Sequence, residues 1–402
     1  MNINLIGIGL GNPNLLTKAA YTAISNSSII IGAKRIVESI RSDFSDKTYF
    51  TEYNTEKILD IINSNTDSEI AVVFSGDISL FSGSSKLFER LKAFKNCKIN
   101  TFPGISSLSY LCAKTNIDIS KVKILSFHGK DELLYHNIDS NEYTFIITSK
   151  GEGAKEICRK LISFGFFDLD ITLGENLSYV NERITTAKPG DFLDMDISDL
   201  NCMIIYNPDS DKAISFGLHD EVFARDKVPI TKSEVRAVIL SKLNIGSDSI
   251  CYDIGAGSGS VSIEMAGLAY EGKVYAVEKN PVAVELIKKN IHNFNAENIE
   301  LIFAKAPEGL EHILEADKIF IGGSGGEMNA VMDMIFASQK HPTIVISAIT
   351  LETVAQITDI LKKAKEYGYD TEVTAINVSK SKEVGPYNMM MAQNMVFIAK
   401  LW

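Results

Sequence analysis

Residues 253–259 read Asp-Ile-Gly-Ala-Gly-Ser-Gly, and a carboxylate, Glu278, follows 19 residues after Gly259. Glycines in such a run permit a tight turn and let the backbone come close to a bound ligand. A carboxylate at the end of the following strand can accept hydrogen bonds from both hydroxyls of a ribose. The flanking residues read as the elements these roles need. Residues 249–254 form an apolar strand, 261–266 open a helix, and 273–278 form the next strand. The second half of the chain is therefore expected to bind a nucleoside cofactor.

The spacing narrows the choice. It is Gly-x-Gly-x-Gly, whereas dinucleotide-binding turns use Gly-x-Gly-x-x-Gly. Asp253 stands at the strand end, where a carboxylate would poorly suit a pyrophosphate. It suits the cationic amino and sulfonium groups of S-adenosyl-L-methionine far better. A dinucleotide is the alternative. A glycine turn that merely packs helix on sheet leaves Glu278 unexplained.

Composition sets outer limits. A chain of 402 residues is long enough for two ordinary domains, and 45% hydrophobic residues can fill substantial cores. Net charge is −11, and residues 1–212 and 213–402 carry −5 and −6. Neither half has the basic footprint of a nucleic-acid binder. Cys97, Cys112, Cys158, Cys202 and Cys251 are scattered, with no Cys-x-x-Cys pair. That pattern points to reduced thiols in the cytoplasm and away from a zinc site; no metal is expected. The first residues lack the basic start of a signal peptide, and no apolar run is long enough to span a membrane.

The elements around these residues alternate. Strands are predicted at 3–8, 28–31, 69–74, 98–101, 123–125, 144–148, 170–173 and 202–206, each followed by Gly, Pro, Asn or Ser. This is α/β alternation. A polar, turn-rich stretch follows, so we place a first domain at 1–206, a linker at 207–221 and a second domain at 222–402. The second domain opens with a helix at 233–243. Its strands are predicted at 249–254, 273–277, 299–303, 318–321 and 343–346, with a late pair near 369–376 and 395–399.

In the first domain, Gly7-Ile-Gly-Leu-Gly-Asn-Pro, Ser75-Gly-Asp, Pro103-Gly-Ile-Ser-Ser and Gly174-Glu-Asn-Leu-Ser-Tyr each follow a strand. Ligands of open α/β sheets bind at the carboxyl ends of strands, so these loops can converge on one crevice. Each alone is compatible with an ordinary turn. Together they resemble the tetrapyrrole methylases, in particular those that methylate carbon 5 of the corrin precursor. Ser126-Phe-His-Gly-Lys is similar to a segment of that subfamily. The resemblance covers nearly all of residues 1–206. Leu10 and Ile78 stand where the family usually has proline, which alters loop stiffness.

In the second domain, residues 228–237, the 253–259 loop, Ala306-Pro-Glu and Ile321-Gly-Gly-Ser-Gly-Gly-Glu resemble the methyltransferases that act at carbon 15 of the same macrocycle and decarboxylate an acetate. The whole chain resembles the fused precorrin C5,15-methyltransferases. The resemblance implies a tetrapyrrole-methylase fold, two α/β lobes with a cleft, followed by a Rossmann-like class I methyltransferase domain. It implies S-adenosyl-L-methionine as cofactor and a precorrin or cobalt-precorrin as substrate. By similarity, Thr231, Gly255, Ala256, Gly257, Ser258, Gly259, Glu278 and Ala306 would contact the cofactor in the second domain. Leu10, Asp77, Leu80, Ser106 and Ser107 would do so in the first. Lys305 departs from the Asp usual before Ala-Pro, which leaves the adenine contact to backbone groups.

The macrocycle carries acetate and propionate groups, so cations near the sites are candidate contacts. Arg225, Lys227, Lys232 and Arg236 cluster before the glycine loop in an acidic domain, though each could equally lie on a solvated helix face. His128 is a candidate in the first domain, and a structural hydrogen bond explains it as well. Gly323, Ser324 and Gly325 follow the fourth strand of the second domain, where small residues leave room for a bulky planar acceptor; a flexible surface loop is the other reading. The sequence supplies no identifiable base or proton donor. The competing functions are a class I RNA or protein methyltransferase with an accessory domain, and a protein that binds cofactor or tetrapyrrole without catalysis. By analogy with the family, a homo-oligomer is expected.

Overall fold

A computed structural model of the chain describes residues 1–94, 97–126, 133–210, 216–226 and 228–402. The chain separates into two compact units, Met1–Asp211 and Lys212–Trp402.

In the first unit, strands β1 (Asn2–Gly7), β2 (Ile29–Gly32), β3 (Thr48–Thr51), β4 (Glu69–Phe74) and β5 (Lys98–Phe102) form a parallel sheet in the order β3-β2-β4-β1-β5. Helices α1 (Lys18–Asn26), α2 (Lys34–Ile40), α3 (Thr55–Asn63) and α4 (Ser84–Leu91) connect them. The central strands are apolar throughout because a parallel sheet is covered on both faces. Ile6, Ile30 and Val73 pack on one face; Ile3, Ile31 and Val72 pack on the other. After α5 (Ser107–Thr115) a second, mixed sheet forms. Its strands are β6 (Val122–Ser126), β7 (Tyr143–Ile147), β8 (Asp170–Glu175), β9 (Arg183–Ala187) and β10 (Asn201–Tyr206), in the order β6-β7-β10-β8-β9. Helices α6 (Leu134–Asp139) and α7 (Gly153–Ser163) pack with it.

The second unit is a seven-stranded sheet. Helix α8 (Ser233–Leu243) precedes β11 (Ile250–Ile254), α9 (Ser260–Leu268), β12 (Lys273–Glu278), α10 (Pro281–Asn293) and β13 (Ile299–Phe303). Then come β14 (Lys318–Ile321), α11 (Met328–Phe336), β15 (Thr343–Ala348), α12 (Leu351–Glu366) and β16 (Thr371–Ile376). The chain ends with β17 (Ser379–Val384), β18 (Tyr387–Ala392) and β19 (Val396–Leu401). The sheet order is β13-β12-β11-β14-β15-β19-β16, with β19 antiparallel to both neighbours. The chain moves outward in one direction from β11 through β13, then returns to build from β14. The loop after β11 thus lies at the point where strand order reverses, the place where open α/β sheets hold ligands.

One expectation needs amendment. β3 and β9 are real strands that the apolar pattern misses, because both are edge strands and only partly buried. The expected late pair does form, as β16 against β19. Between them lies an unanticipated hairpin, β17–β18, whose every residue is exposed.

Candidate functional site

In the first unit the loops after β1, β4 and β5 meet. Gly9 and Gly76 form an isolated antiparallel bridge, with Gly76 N donating to Gly9 O at 2.7 Å. A Cβ on Gly104 would stand 2.3 Å from Gly76 O and 2.5 Å from Gly7 O, so only glycine fits this backbone contact. Asp77 ties two of the loops together. Its Oδ2 accepts from Gly104 N at 3.0 Å and its Oδ1 from Ser79 N at 2.7 Å. Ser106 is the N-cap of α5, its hydroxyl accepting from Ser109 N at 3.0 Å.

These loops border a cavity of about 220 Å³. Leu10, Asp77, Leu80, Ser106 and Ser107, five residues from three separate segments singled out in the sequence, all line it. Arg35, Phe81, Asn201 and Cys202 line it too and were not foreseen. Arg35 follows a strand end, the one signal that could have found it. Burial pushes the Cys202 thiol up to about 12, so it is neutral and no nucleophile. His128 lies outside the described residues.

In the second unit the loop after β11 is built the same way. A Cβ on Gly255 (φ +75°) would meet Gly323 O at 2.3 Å, so β11 and β14 can present their ends side by side only with glycine there. Glu278 at the end of β12 is almost fully buried. Its Oε2 accepts from Gly257 N at 2.8 Å, and its Oε1 from Lys279 N and Asn280 N, both at 2.8 Å. One carboxylate therefore fixes the glycine loop and the start of α10, while Oε2 keeps a lone pair for a further donor.

Asp253 is completely buried. Ser262 Oγ donates to its Oδ2, whereas Oδ1 has no partner. Burial raises its pKa to about 7; the Ser262 hydrogen bond works against that rise and the Glu278 charge adds to it. A buried carboxylate with an orphaned oxygen is suited to a cationic ligand, which would supply the missing partner and favour ionisation.

Two cavities flank Gly255. One, about 160 Å³, is lined by Glu278, Lys279, Lys305, Ala306, Gly323, Ser324 and Gly325. The other, about 720 Å³, is lined by Thr231, Lys232, Gly255, Ala256, Gly257, Gly322 and Ser347, and by Val378, Ala392, Gln393 and Asn394 beside the hairpin. Gly323, Ser324 and Gly325, read from sequence as macrocycle contacts, thus stand with Glu278 and Ala306, which were read as cofactor contacts. Ser258 is buried and, with Gly259, lines neither cavity; its carbonyl accepts from Asn290 Nδ2 at 2.8 Å. The Gln393-Asn394 pair is polar and follows an exposed hairpin, which gave no sequence signal.

The basic cluster splits apart. Arg236 has no exposed surface, which corrects its reading as a substrate contact. Its Nε donates to Glu264 Oε1 at 2.6 Å, one Nη to Thr231 O at 2.6 Å, and the other to Leu218 O. Asp220 stands 3.4 Å away, and Glu264 also accepts from Gly217 N and Leu218 N. All its donors face inward because a buried charge persists only when paired and hydrogen-bonded. Lys232 lines the large cavity and pairs with Asp220 at 3.4 Å. Arg225 is exposed and lines neither cavity; Lys227 lies outside the described residues. Among the described residues no group of His, Cys, Asp or Glu could hold a metal ion, and no helix is long and apolar enough to cross a membrane.

Strand order, the glycine loop at the reversal point and the carboxylate ending the next strand together define the second unit as a Rossmann-like methyltransferase domain. Residues 221–401 match the family described as Precorrin methyltransferase domain, and residues 2–192 match the Tetrapyrrole (Corrin/Porphyrin) Methylases. A probable cobalt-precorrin-6B C(15)-methyltransferase (decarboxylating) of Pyrobaculum calidifontis is 40% identical over 185 residues, covering 45% of this chain and 93% of the relative. A precorrin-6Y C(5,15)-methyltransferase [decarboxylating] of Sinorhizobium sp is 27% identical over 362 residues, 89% of this chain and 87% of the relative. The crystal structure of a precorrin-6y C5,15-methyltransferase from Geobacter metallireducens is 41% identical, covers 46% of this chain and 97% of its own, and superposes with a TM-score of 0.44. The chain belongs to the decarboxylating precorrin methyltransferases.

Proposed function

We propose that the chain methylates a precorrin or cobalt-precorrin macrocycle at carbons 5 and 15 and removes the ring C acetate carboxyl as carbon dioxide, in corrin biosynthesis. The first unit would act at carbon 5 and the second at carbon 15. The observation that carries the reading is that one chain holds two unlike glycine-walled cavities, each matched by a methylase family of tetrapyrrole chemistry. Scattered thiols at five free cysteines support a reducing, cytoplasmic setting.

S-adenosyl-L-methionine, when bound, supplies an electrophilic methyl group. The residues present fit it. Glu278 would take a ribose hydroxyl with the lone pair left on its Oε2, and Asp253 would face the cationic end. Glycine at 255 lets the ends of β11 and β14 lie side by side, which places Glu278 and the glycine loop at the same cavity edge. Transfer to a nucleophilic ring carbon needs alignment and exclusion of water more than a strong base. The cavity of about 720 Å³ has the size of a small-molecule site, and Ile230, Val235, Val378 and Val396 give it an apolar wall. Such a wall disfavours a carboxylate in contact with it. Loss of carbon dioxide from the acetate would leave an electron pair that enters the conjugated ring.

The test is anaerobic incubation of the chain with S-adenosyl-L-methionine and the reduced hexamethylated ring, with and without cobalt. Product mass should rise by two methyl groups and fall by one carbon dioxide. No change in mass in either form would defeat the reading.

A further inference from the structure

Arg35 stands in the first turn of α2, just past the carboxyl end of β2, and lines the cavity of the first unit. Its guanidinium is exposed yet held. One Nη donates to Tyr179 Oη at 2.6 Å and the other to Ser75 Oγ at 3.1 Å. Both acceptors are neutral hydroxyls, and among the described residues no carboxylate pairs with it. The nearby acid in the lining, Asp77, is already committed to Gly104 and Ser79. A planar fork with five N–H donors therefore keeps most of them free at a cavity mouth, oriented but not neutralised.

A second feature stands beside it. Phe81 lines the same cavity, is 53% exposed, and has φ +45°. A bulky residue in the left-handed region is strained, and such strain collects at ligand sites. Leu10, Leu80 and Leu177 complete an apolar wall. The rim thus combines an apolar, partly aromatic surface with one uncompensated cation. A flat apolar ring that bears carboxylates at its edge matches both.

We propose that Arg35 is the carboxylate receptor of the first unit, binding one acetate or propionate side chain of the macrocycle while Phe81 covers a ring face. The proposal rests on the functional reading above and adds the residue that sets ring orientation at the carbon 5 site. Tyr179 and Ser75 hold the fork in the plane a bidentate carboxylate needs. The pair orients the ring edge, so its effect falls on substrate binding and not on the transfer step.

The experiment compares the full chain with R35Q and R35K, following methylation at carbon 5 and at carbon 15 separately by product mass and fragmentation. R35Q is expected to raise the macrocycle KM at carbon 5 about tenfold with kcat within about twofold, the loss of a charge-assisted hydrogen-bonded pair. R35K should recover part of the loss, the KM for S-adenosyl-L-methionine should stay put, and the carbon 15 rate serves as the folding control. An unchanged macrocycle KM, or a shift confined to the cofactor KM, would overturn the proposal and leave the functional reading standing. Binding of an octacarboxylate porphyrin, read by absorbance, separates the two ideas. Tighter binding by the wild type than by R35Q, without any methylation, would keep Arg35 as a carboxylate receptor and sink the functional reading. A wild type that neither binds nor methylates a ring overturns both.

Discussion

Glu278 shows how much one side chain can hold. Its two oxygens already accept three backbone N–H groups that shape the glycine loop and the start of α10. Glu278→Gln keeps the size and removes the charge, and an amide nitrogen would face an N–H donor. We expect cofactor affinity at the second unit to fall about tenfold or more, measured by calorimetry on a chain whose first site is separately disabled. Gly255→Ala should be harsher. The new methyl would press on Gly323 O at 2.3 Å in a backbone region that suits glycine. Methylation at carbon 15 should drop below about one hundredth while carbon 5 continues, as product mass would reveal. Asp253 brings a pH dependence. Its folded pKa near 7 lies above the ordinary 3.8, so between those values the folded state keeps a proton that the unfolded chain has lost. Stability of the second unit should therefore fall as pH rises from about 4 to 7 and level off above. Asp253→Asn removes that slope. Its Tm relative to wild type should be higher at pH 8 than at pH 5 in the absence of cofactor, and a Tm difference flat with pH would contradict the assignment.

At the scale of elements, α8 and α9 are pinned to the segment before them by Arg236 and Glu264, both with fully buried side chains. Arg236 also holds Thr231 O, so the wall of the large cavity depends on a residue that cannot touch a ligand. Removing one partner of such a pair leaves an uncompensated buried charge. Arg236→Ala should destabilise the second unit by about 3–5 kcal/mol. Chemical denaturation followed by tryptophan emission would show it, since Trp402, the one tryptophan, lies in that unit. The β17–β18 hairpin is different. Its residues bury nothing, yet Val378, Ala392, Gln393 and Asn394 at its base line the cavity. Replacing residues 380–391 with a short turn should leave cofactor affinity within about twofold, because the glycine loop and Glu278 are untouched. It should lower carbon 15 methylation at least about tenfold by loosening the acceptor side. Equal rates would place the acceptor elsewhere.

At the scale of the molecule, two unlike units each carry a glycine-walled site, and the variants above address them one at a time. The buried parallel strands were legible in the sequence. Ile3-Asn-Leu-Ile, Ile29-Ile-Ile and Thr343-Ile-Val-Ile announce themselves because a strand covered on both faces has to be apolar. The glycine turns and Glu278 were legible as well, since a tight turn at a strand end restricts residue type locally. The edge strands β3 and β9 and the hairpin were not, because half or more of each meets water and the pattern loses its period. The sequence by itself therefore determined the α/β class, the two glycine loops and the carboxylates beside them. The tertiary structure alone decided which charges meet ligand and which hold the fold. Arg236 and Arg35 read alike in a sequence, but three segments close over the first and leave the second open beside a cavity. Long-range packing, not residue type, sets whether a guanidinium is neutralised inside or stays free at a rim.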